Sequence, residues 1–133
     1  MRFRTLVISA FLASLLTVAL AFAQEGHPLK GSWIGDYGPN RADRNPVTIV
    51  MDWDGKEITG VVNPGPDAIQ IQKASLEPKG WVVHFELDAK NPAGRNVHYV
   101  VDGHIENLGL YNRSIVGTWT HDNVKGDFKI TRQ

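Results

Sequence analysis

The sequence predicts an all-β domain, an eight-stranded up-and-down antiparallel barrel. Three observations carry that expectation. From Gly31 onward apolar residues recur at every second position in short runs, the period of a half-buried strand. The segments between runs are rich in Gly, Pro, Asn and Asp, and none is long enough for the dozen or more residues of a parallel crossover. Finally, 13 Gly and 7 Pro all fall after residue 23, which leaves little room for long helices. Closing such a meander into a barrel removes its exposed edges. A two-sheet sandwich stays open as the alternative, since alternation does not show that the last strand meets the first.

The first 23 residues read as a segment apart. Arg2 and Arg4 precede an apolar run, Leu6 to Phe22, interrupted only by Ser9, Ser14 and Thr17. Ala21-Phe22-Ala23 then supplies a small-x-small cleavage pattern. This is the make-up of a secretory signal peptide over 1–23, and it implies a periplasmic or secreted protein. Without a cysteine to carry lipid, no membrane anchor is expected after cleavage. Residues 24–30 read as a polar arm and 31–133 as the barrel domain. That remainder carries 12 basic and 14 acidic side chains, a net charge near −2. A single domain of this size and charge is no basic nucleic-acid binder. The absence of cysteine excludes a disulfide scaffold, a zinc–thiolate centre and a cysteine nucleophile. Stability must then come from one well-filled core.

The strands can be taken in order. Ser32–Tyr37 is the first. Val47, Ile49, Met51 and Trp53 share one face of the second, Pro46–Asp54, which ends at the turn dipeptide Asp54-Gly55. A two-residue turn there predicts Met51 opposite Ile58 and Val47 opposite Val62, with Asn63-Pro64-Gly65-Pro66 closing the third strand. Ile69–Glu77 and Trp81–Ala89 flank Pro78-Lys79-Gly80. A three-residue turn with Gly80 left-handed pairs Glu77 with Trp81 and Ile71 with Leu87. Val97, Tyr99, Val101, Gly103 and Ile105 form the inner face of the sixth strand. Ser114–Thr120 and Gly126–Arg132 are the last two, with Trp119 expected opposite Phe128.

An up-and-down barrel sends alternate loops to opposite ends. Gly38–Asn45, Asn63–Ala68, Lys90–Asn96 and His121–Lys125 share one end and are longer on the whole, so that end is the expected mouth. Trp33, Trp53 and Trp81 fall at the other, as a structural plug for the barrel base. Tyr37, Leu87, Val97, Tyr99, Trp119 and Phe128 line the upper half. Of these, Tyr37, Tyr99, Trp119 and Phe128 are the candidate contacts for a bound molecule.

Gly31-Ser32-Trp33 in the first strand, with Arg132 in the last, resembles the lipocalin and avidin-like (calycin) barrels. In that family the Trp of G-x-W sits at the closed end and a basic residue of the final strand packs across it. The resemblance covers Gly31 to Gln133 and implies the barrel fold, with Arg132 held over the Trp33 indole. The chain departs from typical lipocalins in its short length and its lack of a C-terminal helix and a disulfide. Gly117-Thr118-Trp119 and Gly126-Asp127-Phe128 also look like a run near the end of small exported bacterial proteins of unassigned function.

Three polar groupings remain. Asp36, Arg41, Asp43, Arg44 and Asn45 surround the first loop, where Arg41 and Arg44 could grip an anionic head group, or simply form exposed ion pairs. His84, Glu86, His98 and His104 share the outer face of strands five and six. They are metal ligands in kind, but their spacing is no known motif, and a surface His–Glu pair is the reading preferred. His121 and Asp122 sit in a mouth loop. No G-x-S-x-G, H-E-x-x-H or phosphate-binding glycine loop is present. The expectation is therefore an exported binder of a small apolar or amphipathic ligand, with no cofactor and no metal. The alternatives are a motif-poor isomerase or cyclase in the same barrel, and a pocketless structural or interaction module.

Overall fold

A computed structural model describes residues 26–133; the signal peptide read at 1–23 and the first two residues of the arm lie outside the described residues. Eight strands follow one another: β1 Gly31–Gly38, β2 Asn45–Trp53, β3 Ile58–Val62, β4 Ile69–Glu77, β5 Val82–Lys90, β6 Asn96–Glu106, β7 Ser114–His121 and β8 Val124–Arg132. Each pairs antiparallel with the next, and β8 pairs with β1, so the sheet is a closed up-and-down barrel. Closure excludes the sandwich. Alternation works as expected: Ile49, Phe85 and Ile130 are buried in one core, with Ile58 and Tyr99 packed against it.

The registers differ from the expected ones, and the turns explain why. Between β2 and β3 the Asp54 carboxylate accepts the N–H groups of Lys56 and Glu57 at 2.8 and 2.6 Å. This Asx-turn makes a four-residue loop, so Met51 faces Gly60 and Ile49 faces Val62. Between β7 and β8 the turn contracts to Asp122-Asn123, with Asp122 at φ 51°, and Trp119 faces Gly126 instead of Phe128. Both slips are of two residues, which keeps every side chain on its own face.

The fourth hairpin behaves differently. Trp81 enters the turn at φ 52°, and Glu77 pairs with Val82. That odd shift would put Leu76 inside but turn Ile71 outward. A β-bulge between Ile71 and Lys73 restores the parity, so Ile71 still faces Leu87 while Ala74 and Leu76 also point inward. The bulge falls beside the narrowest seam of the barrel, because β3 and β4 share only the pairs Val61–Gln70 and Val62–Ile69.

The end with the tight turns is filled, though not quite by the expected side chains. Trp33 is fully buried, and its indole N–H donates to the Leu29 carbonyl at 2.9 Å. Leu29 itself is buried within the core, so the segment read as a polar arm supplies an apolar stopper. Trp53 and Trp81 are only half-buried, and Trp53 stacks on His27 at 4.7 Å between ring centroids. Arg132 is the cross-strand partner of Trp33, as the resemblance implied. Its guanidinium, however, lies 4.9 Å above the Tyr111 ring, because the β6–β7 loop brings that phenol under the end of β8. The cation thus covers Tyr111, not the indole.

Replacing Leu29 by Ala removes the stopper beneath Trp33. The expected loss is about 2–5 kcal/mol, read as a lower urea midpoint with an unchanged slope.

Candidate functional site

The other end is hollow. A cavity of about 210 Å³ lies between the aromatic residues at the mouth and a floor that includes Ile49, Phe85 and Ile130. Its position follows from the strands: Tyr37 stands near the end of β1, Tyr99 near the start of β6 and Trp119 near the end of β7. All three points lie at the same end of an up-and-down barrel. The volume exceeds the ~150 Å³ of an apolar cavity known to take benzene, so it has room for a molecule of one or two small rings.

Trp119 is the centre of the rim. Tyr37 meets its indole edge-on at 6.0 Å and Tyr99 meets it tilted at 6.0 Å. His121 stacks on the same indole at 5.7 Å and leans on Tyr99 at 4.7 Å. The indole N–H donates to the Asp127 carbonyl at 3.1 Å, which fixes the ring's rotation. Beneath it is Gly126, where a Cβ would lie 2.3 Å from the Trp119 Cζ2. Only glycine lets the indole lie flat there. Burial, and then the neighbouring Tyr37, push the Tyr99 phenol above its ordinary range. It stays neutral at physiological pH and can both donate and accept a hydrogen bond.

All four aromatic residues singled out from the sequence, Tyr37, Tyr99, Trp119 and Phe128, line this cavity, and so does Leu87. Val97 is buried but does not line it. Arg41 and Arg44 are not part of the wall. Arg44 is held instead by Asp36 at 2.7 Å, by Asp127, and by the carbonyls of Asn40 and Gly38 at 3.2 and 3.4 Å. It is a staple for the loop 39–44. Arg41 is exposed on that loop. The reason is chemical: two carboxylates flank Arg44 across β1 and β8, so its fork turns along the barrel's outside.

Sequence reasoning missed Asn63 and Lys90 in the lining. Asn63 at φ 51° extends the β2 ladder by exchanging hydrogen bonds with Thr48, at 2.7 and 3.1 Å. Lys90 is the one charged side chain lining the cavity among the described residues. An Asn directly after a strand and before Pro-Gly was the available signal for the first. Lys90 carried none, because its place in the alternation is the outer one.

The outer face of β5 and β6 holds the histidines where expected, paired with Glu86 and in addition with Asp102 and Asp88. His84 lies opposite Asp102 and His98 opposite Asp88, while Glu86 faces Val100 and reaches His84 along its own strand and His98 diagonally across to β6. Among the described residues no three His, Asp or Glu side chains are grouped to hold a metal ion. His104 stands apart, 3.5 Å from Glu106.

Comparison with protein-family models, with curated proteins and with solved structures gives no match. What fold and site together define is a closed, eight-stranded antiparallel β-barrel of calycin-like form, filled at one end and hollow at the other.

Gly126→Ala forces the Trp119 indole off its seat and brings a methyl within 2.4 Å of the Gly38 carbonyl oxygen. Such overpacking costs about 1–3 kcal/mol. The variant is expected to lower the urea midpoint and shift the Trp119 indole N–H resonance, while the Trp33 indole N–H stays in place.

Proposed function

We propose that the protein is exported and binds a small, largely apolar or amphipathic molecule inside the open end of its barrel. The observation that carries this reading is the asymmetry of the interior. One half is packed around Trp33, Leu29, Met51 and Ile115, and the other holds a cavity of about 210 Å³ under an aromatic rim. An eight-stranded barrel can be filled by side chains alone, so a hollow in one half sets this interior apart from a simple core. The pairing of Trp33 with Arg132 supports the resemblance to the lipocalin and avidin-like barrels. Export rests on the composition of residues 1–23.

The ligand's chemistry follows from the walls. Apolar side chains and the faces of Tyr37, Tyr99 and Trp119 favour a compact ring system. The two phenols offer hydrogen bonds to a single polar atom, and Lys90 at the edge tolerates an acidic substituent. Neither nucleic acid nor a cofactor enters the reading. Burying about 200 Å² of apolar area at about 25 cal/mol per Å² gives about 5 kcal/mol before the costs of association. Dissociation constants of about 10 μM to 1 mM are expected for simple probes.

Titration of the labelled protein with toluene, indole and p-cresol tests this. At least one probe is expected to move the Trp119 indole N–H and leave that of Trp33 unmoved. Leu87→Trp, which fills the cavity from β5, is expected to abolish the response. A protein indifferent to all three, or one responding at the Trp33 end, is not a binder of this kind.

A further inference from the structure

The outer face of β4–β6 carries a continuous row of charges that the cavity does not use. Asp102 meets His84 Nδ1 at 2.6 Å, and His84 Nε2 meets Glu86 at 2.9 Å. The other oxygen of Glu86 meets His98 Nε2 at 2.9 Å, and His98 Nδ1 meets Asp88 at 2.6 Å. The Gln72 amide then donates to Asp88 at 2.7 Å, which ties in β4 beside the bulge. The geometry alone specifies the protonation. A neutral imidazole has one N–H, whereas each ring here faces a carboxylate from both nitrogens, so both rings must be imidazolium to make all four bonds.

We propose that this row is a proton-dependent clasp, which holds β4, β5 and β6 together beside the narrow β3–β4 seam and loosens as the imidazoles lose their charge. Every charged group facing it is accounted for. β4 contributes Lys73, opposite Glu86, and Glu77, two residues along from the Ser75 that faces His84; β5 contributes Glu86, Asp88 and, at its end, Lys90; and β6 contributes Asp102, with the His104–Glu106 pair further along. β7 places Val116, Thr118 and Thr120, none of them charged, opposite this part of β6. With both rings charged, the three carboxylates of Glu86, Asp88 and Asp102 each meet an imidazolium at hydrogen-bond distance. With both neutral, Lys73 and Lys90 are the cations left beside the carboxylates on these strands, and two of the four hydrogen bonds lose their donors.

The direction of the effect follows. The hydrogen bonds to Asp102 and Glu86 hold His84 above its ordinary value, and those to Glu86 and Asp88 do the same for His98. Their contribution is complete below about pH 6.5 and is lost as pH rises through the raised folded values. Hydrogen bonds from His84 and His98 hold Glu86 at about 2, so its contribution is present above about 4.5 and lost as pH falls towards 2. The clasp is therefore strongest in mildly acidic conditions. Its location gives it a consequence. Asn63, Ile69, Ala89 and Lys90 line both the cavity and a groove outside the barrel, so the wall beside the clasp is all that separates the ligand site from solvent there.

The test is the urea midpoint at pH 6 and pH 9, for the wild type and for the His84→Gln, His98→Gln double variant. The wild-type midpoint is expected to fall by on the order of 0.5 M over that interval, the partial exposure of both rings keeping the change modest. The double variant is expected to lose most of that dependence. A variant that keeps the wild-type profile overturns the clasp. Should the double variant fail to fold, imidazole resonances of the wild type decide the matter. Titration midpoints of both His84 and His98 above about 6.5 support the clasp, and either one at or below that value sinks it. Neither readout requires a ligand, so the clasp stands or falls apart from the binding reading.

Discussion

The structure depends on the pairing of β1 with β8. Six consecutive partners, from Trp33–Arg132 to Gly38–Asp127, turn a meander with two open edges into a closed wall. The pairing is tight enough that a Cβ on Gly35 would fall 1.8 Å from the Lys129 carbonyl oxygen, so the inner side of this junction has no room for a side chain. Once the wall is closed, the inward positions of all eight strands share one interior, and the two ends become distinct. Ends, floor and rim have no meaning in an open sheet.

Within that interior the division of space follows from which inward positions carry bulk. At the closed end Trp33, Leu29, Met51 and Ile115 meet with almost no exposure, and an element outside the sheet contributes one of them. Towards the mouth, the inward positions alternate large aromatics with glycines. Gly126 lies under Trp119, and further from the mouth Gly103, opposite Gly117, leaves room for the Phe128 ring. An aromatic seated over a glycine is held at the wall and does not reach the axis, so the middle of the barrel stays empty. The same device shapes the rim and keeps the hollow beneath it.

The polar groups are organised around the outside. Arg44 ties the first loop to both β1 and β8, across the closing junction itself, and so reinforces the pairing on which the barrel depends. The histidine and carboxylate row does the corresponding work on β4–β6, across the barrel from that junction and next to its narrowest seam. Surface charge here serves to brace seams, while the chemistry of the cavity is left to phenols, an indole and apolar walls.

Alternation, turn composition and strand count made the fold class legible in the sequence, and with it the aromatic residues of the candidate site. The reason is local: a strand shows its inner face every second residue, and a turn that lengthens or shortens by two leaves that parity untouched. This is why Tyr37, Tyr99, Trp119 and Phe128 keep their inward face although Trp119 and Phe128 are not cross-strand partners. Tertiary structure decided whatever depended on contact between distant segments. Leu29 reads as part of a polar arm until the indole of Trp33 needs an acceptor and a cover. Arg44 reads as available until Asp36 and Asp127 converge on it, and Arg132 as a partner of Trp33 until a loop brings Tyr111 beneath it. A side chain's face is set by its own strand, but its partner is set by the turn, bulge or loop that brings another segment within reach.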